Sequence, residues 1–311
     1  MSGRDRVLRI GTRGSPLALA QAHLVRDRLK AARADLPEAE VVAIRTTGDR
    51  IQDRKLDEIG GKGLFTKEIE EALLEGAIDL AVHSMKDMAT ALPPGLVVGA
   101  MLPREDPRDA WFSPHAAGIA GLPKGARVGT SSLRRQAQIL ARRPDLKVTT
   151  LRGNVGTRLA KLAAGEAEAT LLALAGLKRL GLADKATSIL STEEMLPAVG
   201  QGAIGIEIRA DHDIMVGLLA SIDDRATSMA VTAERACLAV LDGSCRTPIA
   251  ALAEHEPGGN LRLRSLIALP DGSALKSDER RGPAASAVDL GRAAGEALRA
   301  GAGPAFAVIW S

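Results

Sequence analysis

The sequence contains no tyrosine, and its aromatic residues amount to three phenylalanines and two tryptophans in 311 residues. So few π-faces remove the stacking platforms on which single-strand nucleic-acid binders depend. Long apolar runs are also missing. No stretch approaches a membrane span, and the N-terminal MSGRDRVLRIGTRG has charges where a signal peptide needs an apolar core. We therefore expect a cytoplasmic protein with no membrane partner. Only two cysteines occur, Cys237 and Cys245, and a reducing compartment leaves both as thiols. A large excess of one charge sign is absent as well. The net charge is +3, so basic character is local and no nucleic-acid partner is implied.

What is present is the composition of a folded chain, 46% hydrophobic and 25% charged, with length for two or three domains. The stretch Arg127 to Lys161 places one device twice. Arg127 to Thr130 reads as a strand, Ser131 or Ser132 as a helix N-cap, and Arg134 and Arg135 fall in the first helical turn of a helix that stops at Pro144. Lys147 to Leu151 then reads as a second strand and Gly153-Asn154 as a turn, with Arg152 and Arg158 on either side of the next helix start. A helix N-terminus favours acidic residues, so arginines there are explained by an arriving anion, which guanidinium grips in a bidentate fork. One Arg-Arg pair is a solvated face in the simplest reading. Its repetition favours a polyanion site.

Elsewhere the same logic recurs. Val7 to Thr12 reads as a strand, and Ser15-Pro16 caps a helix to about Ala34, which puts Arg13 and Ser15 at a third strand-to-helix turn. Glu40 to Thr47 is a strand, the polar stretch 48–63 a long loop, Leu64 to Leu74 a helix and Ile78 to His83 a buried strand. Lys86 and Asp87 then stand at the carboxyl end of that strand, where open α/β sheets put ligands. Leu96 to Leu102 is another strand, and Pro103 and Pro107 read as a boundary. Ala169 to Leu174 is a strand leading to a helix with Lys178 and Arg179. Beyond Asp223 the texture becomes that of a small α+β domain: a helix through Val240, then alternating stretches at Ile249 to Ala253 and Leu261 to Ala268, and an Ala-rich last helix. Cys237 falls inside the first helix and reads as a packed thiol. Cys245 falls in the turn LDGSCRTPIA beside Arg246, a setting for a reactive thiolate.

Some motifs fail on context. Lys62 lacks the Walker spacing. VGQGAIG, with glycines at 200, 202 and 205, spells a dinucleotide fingerprint but precedes a strand instead of a helix. The DHD at 211–213 reads as helix capping and surface charge, so no metal is expected. Two rivals are a non-catalytic anion-binding protein of the same shape and a cysteine hydrolase. The second lacks a histidine in a recognisable pairing motif with Cys245.

The motifs IGTRGSPLALAQ, GDR, GGKGLFTKEIE, AVHSMKD, VGTSSLRRQAQIL, LRGNVGTRL, AGLKRLGL, VGQGAI and GSCRTPIA occur in this order. Together they resemble the porphobilinogen deaminase (hydroxymethylbilane synthase) family. The resemblance implies an α/β fold of two βα domains like type II periplasmic binding proteins plus a small C-terminal α+β domain with an antiparallel sheet. It places domain 1 at 1–102 and 203–220, domain 2 at 103–202 and domain 3 at 221–311. It implies a covalent dipyrromethane cofactor attached by a thioether to Cys245, catalysis by Asp87, and binding of cofactor or substrate by Arg13, Ser15, Lys86, Ser132, Arg134, Arg135, Arg152, Arg158, Arg179 and Gln201. The implied reaction joins four porphobilinogen molecules into a linear tetrapyrrole, in a cytoplasmic monomer.

Overall fold

The structure is a computed structural model, described here for residues 7–50, 66–242 and 247–309. In chain order the elements are β1 (Leu8–Arg13), α1 (Pro16–Ala32), β2 (Ala39–Ile44), α2 (Thr47–Arg50), α3 (Lys67–Leu74), β3 (Leu80–Ser84), β4 (Leu96–Met101), β5 (Asp109–Phe112), β6 (Arg127–Gly129), α4 (Leu133–Arg142), β7 (Lys147–Thr149), α5 (Val155–Ala163), β8 (Ala169–Ala173), α6 (Leu174–Arg179), β9 (Ser188–Ile189), β10 (Ile204–Arg209), α7 (Asp213–Leu219), α8 (Arg225–Val240), β11 (Ile249–Glu256), β12 (Asn260–Ala268), β13 (Leu275–Pro283) and α9 (Ala287–Gly301). They fall into two compact units, Met1–Glu105 with Ala203–Ser228, and Asp106–Gly202 with Met229–Ser311.

The first unit is built on a sheet of order β2-β1-β3-β10-β4. β1 runs parallel to β2 and β3, whereas β10 is antiparallel to β3 and β4. The helix α1 starts where Ser15 Oγ accepts from the Ala18 N–H at 3.3 Å and Pro16 supplies a fixed φ. It lays Ala22, Val25 and Leu29, spaced three and four apart, onto Leu8, Ile10 and Leu80 of the sheet.

The second unit repeats that order as β7-β6-β8-β5-β9. Here β6, β7 and β8 are parallel and β5 is antiparallel to β8 and β9. In both sheets, therefore, the parallel strands direct their carboxyl ends to the turns that carry the arginines and Asp87. The α/β class expected from the sequence is the class the chain adopts, and the small third sheet is antiparallel, in the order β11-β12-β13. That sheet is covered on both faces. Ala251, Leu263 and Ile267 pack with α8 and α9 through Ala233, Cys237, Ala294 and Leu298, while Ala250, Leu252 and Leu266 pack on Ala137 of α4 and on Leu196. The close approach of α9 to α8 needs Gly291 and Gly295, four residues apart: a Cβ on Gly291 would overlap the Ala233 carbonyl oxygen.

Three strands escape the sequence reading, one of them β9, which is only two residues long. β5 lies in PREDPRDAWF, where proline and charge read as a boundary. β13, LKSDERRGP, has no apolar alternation because its residues are half-buried or exposed, and ion pairs such as Arg262 to Glu279 at 2.7 Å join it to β12. The fingerprint motif also finds its structural use. Gly200 and Gly202 have φ of 67° and 92°, which side-chain-bearing residues avoid, and Gly205 faces Met85 across the sheet.

Candidate functional site

In the first unit, the carboxyl ends of β1 and β3 meet the start of α1. A pocket there is lined by Arg13, Ser15, Gln21, His83, Ser84 and Asp87 among others. Asp87 ends the short 3₁₀ turn Met85–Asp87 that follows β3; its carboxylate is exposed and has no hydrogen bond or ion pair among the described residues. Lys86, half-buried, belongs to the same turn. Met85 anchors the turn from below. It is 1% exposed, and its N–H donates to the Ala203 carbonyl at 3.1 Å.

Gln21 and His83 were not among the residues singled out by sequence. Gln21 is buried on α1 and exchanges hydrogen bonds with Ser84 Oγ at 3.0 and 3.1 Å. His83 is buried in β3, its Nε2 lying 3.1 Å from Oε2 of the fully buried Glu207. Glu70 on α3 joins this group. Burial, reinforced by the Glu207 charge, raises its carboxyl above the ordinary range. Period-based reading finds such residues only as core positions.

In the second unit the arginines occupy the expected turns, with an internal partner that the sequence did not reveal. Ser132 is the N-cap of α4, its Oγ accepting from the Arg135 N–H at 3.4 Å. Arg134 and Arg135, however, are each only 5% exposed, and the anion they meet is Asp109, the first residue of β5, 0% exposed. Arg134 Nη2 donates to Asp109 Oδ2 at 2.8 Å and Arg135 Nη2 to Oδ1 at 2.7 Å. Their Nη1 atoms donate to the carbonyls of Leu196 at 2.7 Å and Leu171 at 2.8 Å. Burial pushes the Asp109 carboxyl upward, but the two guanidinium charges and their hydrogen bonds outweigh it and hold the group far below the usual carboxylate range. Removing one member of such a buried set costs about 3–5 kcal/mol.

Gln201 belongs to this network as well. Its amide donates to the Pro107 carbonyl at 2.6 Å and to Asp109 Oδ1 at 3.0 Å. Arg152 and Arg158 flank the Asn154 cap of α5, and Arg158 Nε donates to the Gly153 carbonyl at 2.9 Å. Arg179, at the end of α6, donates to the Gly202 carbonyl at 2.6 Å.

The two cysteines separate. Cys237 is 0% exposed in α8, and burial pushes its thiol up to about 12. Cys245 and the stretch 51–65, with most of the loop expected at 48–63, lie outside the described residues.

Whether a dipyrromethane suits these residues can be judged from unfilled donors. The Nε of Arg134, the Nε of Arg135 and the Nη1 of Arg152 are buried with no acceptor among the described residues. Each such orphan costs about 1–3 kcal/mol. A group bearing several carboxylates supplies what they lack, so the residues fit it.

βα units with arginines at strand-to-helix turns, and an exposed carboxylate at a strand end, define a class: α/β proteins with charged turns at the carboxyl ends of their parallel strands. Residues 8–216 match the family description "Porphobilinogen deaminase, dipyromethane cofactor binding domain", and residues 228–300 match "Porphobilinogen deaminase, C-terminal domain". The porphobilinogen deaminase of Paracoccus denitrificans is 59% identical over 305 residues, covering 98% of this chain and 97% of its own. That of Nitrobacter winogradskyi is 57% identical over 308 residues, 99% of this chain and 97% of its own. The chloroplastic enzyme of Oryza sativa subsp. japonica is 57% identical over 305 residues, 96% and 85% respectively. Among solved structures, a periplasmic substrate-binding protein of an ABC transporter from Coxiella burnetii covers 71% of this chain and 94% of its own at 14% identity, with a TM-score of 0.42. On the sequence matches, the chain belongs to the porphobilinogen deaminase family. No described helix is long and apolar enough to cross a membrane.

Proposed function

We propose that the chain is a transferase that joins four porphobilinogen molecules head to tail on a covalently held dipyrromethane and releases the linear tetrapyrrole hydroxymethylbilane, losing one ammonia per joining. The observation that carries this reading is Asp87, an exposed carboxylate without a partner among the described residues, in a pocket shared with Arg13 and Ser15. A merely structural carboxylate at the end of a buried strand would be tied into the backbone or to a cation.

The substrate ring brings an acetate and a propionate, and Arg13 with Ser15 supplies donors for one of them. Asp87 accepts from the pyrrole N–H. When ammonia departs, positive charge spreads over that ring, and a fixed carboxylate against the ring nitrogen offsets it. Asp87 also takes the proton released when the new carbon–carbon bond forms and returns it to the amino group that leaves in the next round. When bound, the dipyrromethane supplies the pyrrole carbon to which the first substrate unit is joined. Arg134, Arg135, Arg152, Arg158 and Arg179, with Ser132 and Lys86, hold carboxylates of that group and of the lengthening chain. Cys245 is the thioether attachment point, and the protein works as a cytoplasmic monomer.

The test is stoichiometric. Purified protein given porphobilinogen should release four ammonia per tetrapyrrole. Asp87→Asn should keep its bound group and lose turnover by about a hundredfold or more, the scale of losing a charge that stabilises the transition state. Ammonia release at the wild-type rate by the Asn variant would remove Asp87 from the chemistry. No ammonia release from wild type would leave a binding protein.

A further inference from the structure

Arg134 and Arg135 are immobilised in a particular way. Each has both outer nitrogens engaged, Nη1 by a carbonyl and Nη2 by Asp109, and of its three nitrogens Nε alone has no acceptor among the described residues. A guanidinium is planar, so fixing two nitrogens fixes the third. One carboxylate does this for both. Asp109 is in turn held by the Gln201 amide, whose other hydrogen bond goes to the Pro107 carbonyl. Helix α4 alone does not determine these orientations, because an arginine has four side-chain torsions and Asp109 lies 25 and 26 residues away in sequence.

We propose that Asp109, steadied by Gln201, is a positioning residue: it turns Arg134 and Arg135 so that their Nε–H edges are the donors left for the carboxylates of the bound dipyrromethane. The inference rests on the function proposed above. It also reassigns Gln201, which acts through Asp109.

Charge and orientation make opposite predictions here. Asp109 cancels one of two positive charges, so an arginine pair acting only as a source of charge would bind a polycarboxylate more tightly once Asp109 became neutral. If the pair acts by geometry, Asp109→Asn binds it more weakly, because one of the two guanidinium groups loses its fork. The full-length variant, purified free of cofactor, is incubated with increasing porphobilinogen, and the fraction acquiring a two-pyrrole mass surplus is read by intact mass. The half-saturating concentration should rise about tenfold, the size of one lost charge-assisted hydrogen bond. The plateau should remain that of wild type, whereas a purely structural defect lowers the plateau with the folded fraction.

Asp109→Asn leaves two buried cations short of an anion and can fail to fold. Gln201→Met then decides, since it keeps all three charges and removes the tether on Asp109 together with the hydrogen bond to the Pro107 carbonyl. Its half-saturating concentration should rise by about threefold or more, at a loading plateau that remains that of wild type. Loading of folded Asp109→Asn at wild-type or lower porphobilinogen concentration overturns the proposal, as does wild-type loading of Gln201→Met. A wild-type chain that never gains the surplus overturns the underlying function instead.

Discussion

Replacing Gly205 with alanine probes the support of the Asp87 turn without touching the pocket. Gly205 sits on β10 opposite His83, and its φ lies outside the left-handed region, so the backbone accepts a side chain. Met85 does not. Its sulfur stands where the new methyl would go, and its Cγ is 3.2 Å from that position. Met85 is the first residue of the turn that ends in Asp87, and at 1% exposure it has no route to solvent. Overpacking of this kind costs about 1–3 kcal/mol, offset by roughly 0.4–1 kcal/mol because alanine narrows the unfolded ensemble. The net loss is about 2.6 kcal/mol or less, equivalent to at most about 10 °C of melting temperature at about 2–4 °C per kcal/mol. Turnover should suffer more than stability, because displacing a reacting group by about 1 Å costs up to a hundredfold. The assay is the initial rate at saturating porphobilinogen, on protein shown by mass to be fully loaded, with thermal melting alongside. Gly217→Ala on α7 is the control: nothing lies within 4 Å of its added methyl, so it should gain up to about 1 kcal/mol from helix propensity and keep its rate. A folded, loaded Gly205→Ala enzyme with kcat within about twofold of wild type would refute the claim that Met85 transmits this strain to Asp87.

Two further outcomes follow from titrating groups. Cys237, with its thiol pushed up to about 12 by burial, should resist iodoacetamide in the native protein at about pH 8 and react only on unfolding; native labelling at Cys237 would contradict its burial. The Glu70 carboxyl is raised in the folded state, so folding favours its protonated form. Its stabilising contribution is complete below the unfolded carboxyl value and fades as pH climbs through the folded one. Glu70→Gln, neutral throughout, should therefore match wild type in denaturant melts at about pH 4 and exceed it at about pH 7. Equal stability at both pH values would mean that Glu70 is charged and satisfied in the fold.

Local signals were legible wherever a residue's role depends on its neighbours in sequence. Ser15-Pro16 and Ser131 or Ser132 were readable as caps because an N-cap bond spans only three residues; Ser15 and Ser132 are found as caps, and Asn154, read as part of a turn, caps α5 as well. Asp87 at the end of β3 followed from an apolar run stopping at SMKD. What stayed hidden depends on partners distant in sequence. A carboxylate at 109 inside a buried strand looks impossible until two arginines on α4 neutralise it, so PREDPRDAW read as a boundary and the strand was missed. The same blindness made the Arg134–Arg135 pair look wholly available to a ligand, when Asp109 occupies one side of each fork. Gln21 and His83 border the pocket from positions that read as core, because period shows which face is inward and not which inward residue meets a cavity. The glycines of VGQGAIG could be excluded as a nucleotide loop, but their actual use needed the φ values at 200 and 202 and the neighbour of 205.

The central claim is a covalent two-pyrrole group carried on one cysteine, and intact mass spectrometry of three purified full-length proteins tests it most directly. Wild type and Cys237→Ser should both exceed their sequence masses by two pyrrole units, while Cys245→Ser should match its sequence mass and be inactive toward porphobilinogen. Wild-type protein at its bare sequence mass but active, or a surplus that survives in Cys245→Ser, would contradict the account.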